Sequence, residues 1–504
     1  MKTKHNSRPS APRPTPLRAH RWPILAATCL LLGGLALPAQ PVTNNPIKPV
    51  PLPDPQIRGY HFPERESTIL GWIQQSGLVG TAQATNGLKA IALHGWGLWT
   101  ALTSETDQVV EAQKLRVFET WYTPEEVADL GPQTLTGLRG RVRGRSPLRT
   151  LRQFGHSAST KAAAGATKAA PVVRATGFVK YDPTAADHIA QQQLFAKATL
   201  NSLLTNGANA IPPFPTRAIS LKPVFELITS NLVVNGRYYP LKVWTGPPTV
   251  ARAYGEDAWP GVVWVDVKGG GAGKGAVDMN AGTNFDGSTR TEATTYPASS
   301  FIHYQLSEAD AADLNTDPES GVTDAAAGDF SILLAMHVTS KEVTRWTWQT
   351  FWWTPNPEVG IEPSSSLVVT ARPEKLQGPA RHYAMSIGYA TETPAQPNVG
   401  GSNIGNSVYA YNPYLEAGFG PDSENHGRSR LPDSKPGLFQ GQVVANTFGV
   451  QTSCLSCHAN ANYTPTPVPT APTYTGDQYI DLNSPRFANV LKVDFLWSIP
   501  GNAK

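Results

Sequence analysis

The chain reads as an α+β protein: a helical N-terminal part, a mainly antiparallel β-rich body and an irregular C-terminal segment. Three observations lead there. Apolar residues recur at three- and four-residue spacings in ESTILGWIQQSGLV and NGLKAIALHGWGLWTALTS, the period of a helix face. Further on, short β-branched and aromatic runs stand between Gly, Pro and Asn, as strands do. Finally, 45 prolines and 44 glycines in 504 residues are too many for a helical bundle.

The first 39 residues form a leader. Lys2, Lys4, Arg8, Arg13, Arg18 and Arg21 precede the apolar run WPILAATCLLLGGLALPA, Trp22 to Ala39. Basic region, apolar core and small-residue end make a Sec-type secretory signal, with cleavage after Ala39. Leu37 is bulky for a recognition site, so an uncleaved membrane anchor is the alternative. Without those six cations the formal charge of +4 becomes −2. The basic balance therefore belongs to the leader and implies no nucleic-acid partner. Both readings of the leader place the protein in the periplasm, free or anchored to the inner membrane.

Residues 40–138 follow as a Pro-rich arm and a helical region. The arm, PVTNNPIKPVPLPDPQ, reads as an extended tether. His94 in the second helix reads as a packed or half-exposed side chain rather than a ligand. WYTPEEVADL carries a capping box, with Thr123 as N-cap, Pro124 first in the helix and Glu126 reaching back. Residues 139–175 are Arg- and Ala-rich, with Arg139, Arg141, Arg143, Arg145, Arg149 and Arg152, and read as a linker; a basic patch is the sharper alternative.

Residues 176–450 are the β-rich body. GFVKYD, ISLKPVFELI, YYPLKVW, WPGVVWVDV, SSFIHYQL, FSILLAMHV and TWQTFWW are the expected strands, with HIAQQQLFAKATLNSLL and SEADAADL helical between them. In this register Trp346, Trp348 and Trp352 share one face. Two motif-like stretches are set aside. In GGGAGKG, Lys274 precedes Gly275 where a phosphate loop needs Ser or Thr; in DMNAGTNFDG, a calcium loop's glycine and closing acid fall on Thr283 and Thr289.

Residues 451–504 carry the chemistry. CLSCH, with Cys454, Cys457 and His458, has the C-x-x-C-H spacing that attaches a c-type haem. Two thiols three positions apart reach the two vinyl groups of one porphyrin edge, and the adjacent imidazole coordinates the iron. A structural zinc site needs about four ligands, and the one other cysteine, Cys29, lies in the leader. The expected cofactor is one covalent haem c. The 46 residues after His458 contain no Met or His, so a distal Met or His ligand must come from upstream or the iron is open. The distal candidates are His337, Met385 and His382, with His303 and His426 completing the list of candidates. VLKVDFLWSIP at the end could be one strand.

Beyond these residues, FETW near Trp121, FIHYQLSEAD, MHVTSKEVTRWTWQTFWWTPNP, NPYLE near Leu415 and the late CLSCH together resemble a group of large bacterial proteins of the cytochrome c family. The resemblance implies a single-haem periplasmic protein and carries a role only to Cys454, Cys457 and His458. The expected function is electron transfer to a redox partner protein not identifiable from the sequence. The alternatives are a haem enzyme, peroxidase-like or oxygen-activating, with an open distal site, or a haem-based sensor or binding module.

Overall fold

The computed structural model describes residues 47–75, 85–110, 113–130, 175–248, 254–282, 285–316, 322–389, 398–399, 402–403, 407–408, 410–417, 437–439, 442–444, 454–466, 482–483 and 485–504. They form an α+β fold. In chain order come α1 (Glu66–Gln75), α2 (Thr85–Thr103), a hairpin of β1 (Glu105–Val110) and β2 (Gln113–Arg116), and α3 (Pro124–Leu130). Next are β3 (Ala175–Gly177), β4 (Lys180–Tyr181), α4 (Pro183–Gln191), α5 (Lys197–Thr205), β5 (Ile219–Ile228), β6 (Tyr238–Lys242), β7 (Val262–Asp266) and β8 (Thr295–Pro297). Then follow β9 (His303–Gln305), α6 (Glu308–Thr316), β10 (Phe330–Ser340), β11 (Thr347–Trp353), α7 (Ser366–Thr370) and β12 (Tyr383–Ile387). Two short helices, α8 (Pro413–Glu416) and α9 (Cys454–His458), complete the parts used below.

A seven-stranded antiparallel sheet organises the body. Its path is β12-β11-β10-β5-β3, with β4 also on β5 and β9 also on β10. β5 and β10 are its long central strands, and nearly every residue of both is buried. Pro223 lies inside β5 and has no N–H for a ladder. Beside it the neighbouring strand is split into β3 and β4, and Phe178 N donates to the Pro223 carbonyl at 3.2 Å. A second sheet, β6-β7-β8, is smaller.

Helix α2 lies against one face of the main sheet. It is apolar nearly all round, as a fully packed helix must be. Trp99 stacks on Phe351 of β11 at 4.3 Å, and the indole nitrogens of Trp96 and Trp99 donate to the carbonyls of Val368 and Ala380. Glycine permits the close approach. A Cβ at Gly95 would come 2.7 Å from the Met385 sulfur, and one at Gly97 would overlap the Tyr60 ring.

Local signals explain the helix starts. Thr123 N donates to Glu126 Oε2 at 2.7 Å and Glu126 N reaches Thr123 Oγ1 at 3.5 Å, so the capping box of α3 forms. At α4 the Asp182 carboxylate accepts from the N–H groups of Thr184, Ala185 and Ile219, pinning the helix start to β5.

HIAQQQLFAKATLNSLL is helical in two pieces, parts of α4 and α5, divided where Gln193 takes a left-handed φ of 51° and Leu194 N turns back to Ile189 O. Two expectations need correction. Trp346 lies before β11 with a φ of 61°, so the strand alternation that pairs Trp348 with Trp352 does not extend to it; it packs on Phe214. VLKVDFLWSIP is not one strand. Leu491–Lys492 pairs with Asn462–Tyr463, left-handed Asp494 and Phe495 turn the chain, and Ser498–Asn502 is helical. Asp494 sets that turn by accepting from Phe214 N and from Lys341 Nζ.

No helix among the described residues is long and apolar enough to cross a membrane. The leader, residues 139–174 and His426 lie outside the described residues.

Candidate haem-attachment site

CLSCH folds as α9, so Cys454 and Cys457 stand three residues apart, just under one helical turn. Cys454 is half-buried, its sulfur 3.6 Å from the Ala410 carbonyl; the side chain of Cys457 lies outside the described residues. His458 closes the helix. Its Nδ1 lies 2.6 Å from the Phe495 carbonyl oxygen. A carbonyl can only accept, so Nδ1 carries the proton and the lone pair is on Nε2. Among the described residues Nε2 has no hydrogen-bond partner. The turn at Asp494 and Phe495, which breaks the expected strand, is what aims this carbonyl at the ring.

The imidazole sits against Trp348, ring centres 4.4 Å apart. Burial pulls its pKa down to about 4; His337 and Lys222 nearby add to the shift, while the Phe495 carbonyl and Glu416 oppose it. The ring is therefore neutral at neutral pH, the form in which imidazole binds a metal.

The sheet register decides which other residues share this side. His337 of β10 pairs with Thr350 of β11 and with Lys222 of β5. Side chains alternate across a strand, so Trp348 and Thr350 share a face, and His337 and Lys222 lie beside them. Helix α8 is clamped to the same face. Asn412, its N-cap, donates from Nδ2 to Thr350 Oγ1 at 2.7 Å and to the Phe351 carbonyl at 2.9 Å. Glu416 then places Oε1 3.0 Å from His337 Nε2 and Oε2 2.6 Å from Asn412 N. His337 Nδ1 is buried without a hydrogen-bond partner.

The remaining candidates lie elsewhere. Met336 and Met385 both pair with Phe351 and share its face, against α2. His382 ends a 3-10 turn, its ring stacked near Trp353 at 6.2 Å. His303 on β9 is held by the Phe301 carbonyl at 2.9 Å. His94 is buried in α2 between Tyr389 and Glu342. Asp278 takes hydrogen bonds from Trp264, Thr289 and Asn280, and Asp286 from Ser288, so these acids serve their own loop. Gly271 packs onto the Thr295 carbonyl, where any side chain would clash.

Sequence reasoning missed Trp348 as the partner of His458, and it missed Lys222, Asn412 and Glu416. For α8 a signal existed: Asn before Pro is an N-cap pattern, with an acid four residues on. For the Phe495 carbonyl none existed, because a main-chain atom has no residue code. Among the described residues no three His, Cys, Asp or Glu side chains gather as a metal-ion site. Compared with protein-family models, curated proteins and solved structures, the chain matches none.

Proposed function

We propose that the chain is a periplasmic c-type cytochrome holding one haem through Cys454 and Cys457, with His458 as proximal ligand, and that it transfers electrons. One observation carries the reading: His458 Nδ1 donates to the Phe495 carbonyl, leaving a neutral ring with a free Nε2 lone pair. A ligating histidine is held in this way, its second nitrogen fixed to a carbonyl that sets tautomer and orientation. The donor set, two thiols on one turn followed by such an imidazole, fits a covalent haem. When bound, that group supplies one reversibly exchanged electron.

The chain's own residues would do the rest. Phe495 orients the imidazole, and Trp348 packs against it. His337 would be the residue to hold the iron from the other side: its Nε2 is engaged by the Glu416 carboxylate, and its buried Nδ1 has no hydrogen-bond partner. Lys222 offers a cation on the same face.

A second reading is favoured by the same Glu416 contact. A histidine whose Nε2 is held by a carboxylate is also a proton donor and acceptor, the equipment of a haem enzyme with an open iron. An optical spectrum decides. The protein is made in a host that attaches c-type haem, then recorded oxidised, reduced, and reduced under carbon monoxide. Absence of covalent haem overturns the proposal. A spectrum unmoved by carbon monoxide supports two protein ligands and an electron carrier; a carbon monoxide complex moves the reading to the enzyme.

A further inference from the structure

We infer that Tyr389 is a redox-active tyrosine whose phenolic proton passes to His94 when one electron is removed. The pair lies on the α2 side of the sheet, apart from the site at His458. Tyr389 is buried just beyond β12, its hydroxyl 2.7 Å from His94 Nδ1. His94 Nε2 lies 3.0 Å from Glu342 Oε1, with both side chains at most 1% exposed. Glu342 also accepts from Glu64 N at 2.6 Å and from Ser340 Oγ.

In the tautomer that directs Nε2–H at this carboxylate, His94 Nδ1 is the acceptor and the phenol its donor. The direction of the bond matters. Removing an electron from a phenol makes its proton strongly acidic, and in a dry core that proton needs a base within hydrogen-bond reach. Here the base is in place, and the carboxylate behind it stabilises the imidazolium that results.

The step balances. One electron leaves the Tyr389 phenol for a high-potential one-electron oxidant. The O–H bond breaks, an N–H bond forms on His94 Nδ1, and a neutral tyrosyl remains beside an imidazolium–carboxylate pair. Re-reduction returns the proton along the same bond.

Neighbouring tyrosines lack this arrangement. Tyr60, whose ring lies 5.6 Å from His94, has a buried hydroxyl without a hydrogen-bond partner. Tyr383 donates to the Leu333 carbonyl and Tyr296 to that of Ala276, neither of which can take up a proton. Tyr389 is also close to the opposite face by bonds: its neighbour Gly388 donates to the Trp348 carbonyl at 2.8 Å, and the Trp348 ring meets His458. The tyrosine–histidine pair stands without a haem; only its relation to the His458 face rests on the reading above.

The test uses the full-length protein with flash-generated ruthenium(III) tris-bipyridine as oxidant and freeze-quench electron paramagnetic resonance as readout. The expected result is a neutral tyrosyl signal, largely lost in Tyr389→Phe, which removes only a hydroxyl. His94→Gln keeps the phenol and removes the base, and should lose the same signal. Equal radical yield in wild type and Tyr389→Phe overturns the inference, as does an undiminished signal in folded His94→Gln. Should His94→Gln fail to fold, Tyr389→Phe decides alone. Haem absorbance of the same sample reports separately on the proposed cytochrome.

Discussion

The two faces of the main sheet are built on different terms. On one, α2 meets Met336, Phe351, Tyr383 and Met385 with tryptophans, and a buried polar cluster joins His94 to Tyr389 and Glu342. On the other, α8 and α9 are short, and the contacts are polar: Asn412 on Thr350, Glu416 on His337, His458 on Trp348. A two-residue step along β10 or β11 stays on a face and a one-residue step changes it, so Met336 and His337, adjacent in sequence, belong to the two different regimes. The first face stabilises the fold; the second presents ligand-type side chains to the CLSCH helix.

Substitutions can break or sharpen this contrast. The largest effect expected is all-or-none: Cys454→Ala with Cys457→Ala abolishes covalent haem, checked by haem stain on a denaturing gel, while the fold seen by circular dichroism persists. Next, Trp99→Ala on the α2 face should cost about 3–5 kcal/mol in denaturant melts, the usual loss for a large buried aromatic. Glu342→Gln should cost about 1.5–3 kcal/mol, the usual worth of a hydrogen bond to a charged group, because an amide cannot accept at every position where the carboxylate meets His94, Glu64 and Ser340.

Smaller effects separate stability from chemistry. His337→Ala removes one part-exposed hydrogen bond and should cost about 1 kcal/mol, yet it should alter the haem spectrum and admit carbon monoxide. Met385→Leu should cost under about 1.5 kcal/mol and leave that spectrum unchanged. Reversed spectral outcomes for this pair would move the distal ligand to the α2 face.

The smallest effect concerns pH. Burial, with Arg372 beside it, holds His382 below the usual histidine range. The unfolded chain then binds more protons than the folded one as pH falls below about 6.5, so stability is complete above that value and declines on acidification. His382→Gln should flatten this part of the stability–pH curve.

Much of the fold was legible. Alternation and turn residues marked the strands of the sheet, and Thr123, Pro124 and Glu126 announced α3 because the capping box is local. What escaped depended on contacts distant in the chain. The left-handed turn at Asp494 answers to Phe214 and Lys341, far upstream, so no window of sequence around VLKVDFLWSIP contains its cause. The site divides in the same way. The proposed haem attachment rests on five consecutive residues, CLSCH. Its surroundings join β5, β10, β11 and α8, and His337 could be ranked against Met385 only once the register was known.

The Phe495 carbonyl has a consequence for how the imidazole is held. The atom that orients His458 lies 37 residues beyond it, in a segment whose residue Lys504 exchanges main-chain hydrogen bonds with Phe195 and Lys197. The tautomer of His458 is thereby tied to the region between α4 and α5, far from CLSCH in the chain. A change that loosens Lys504 from Phe195 reaches the ring without touching any residue beside it.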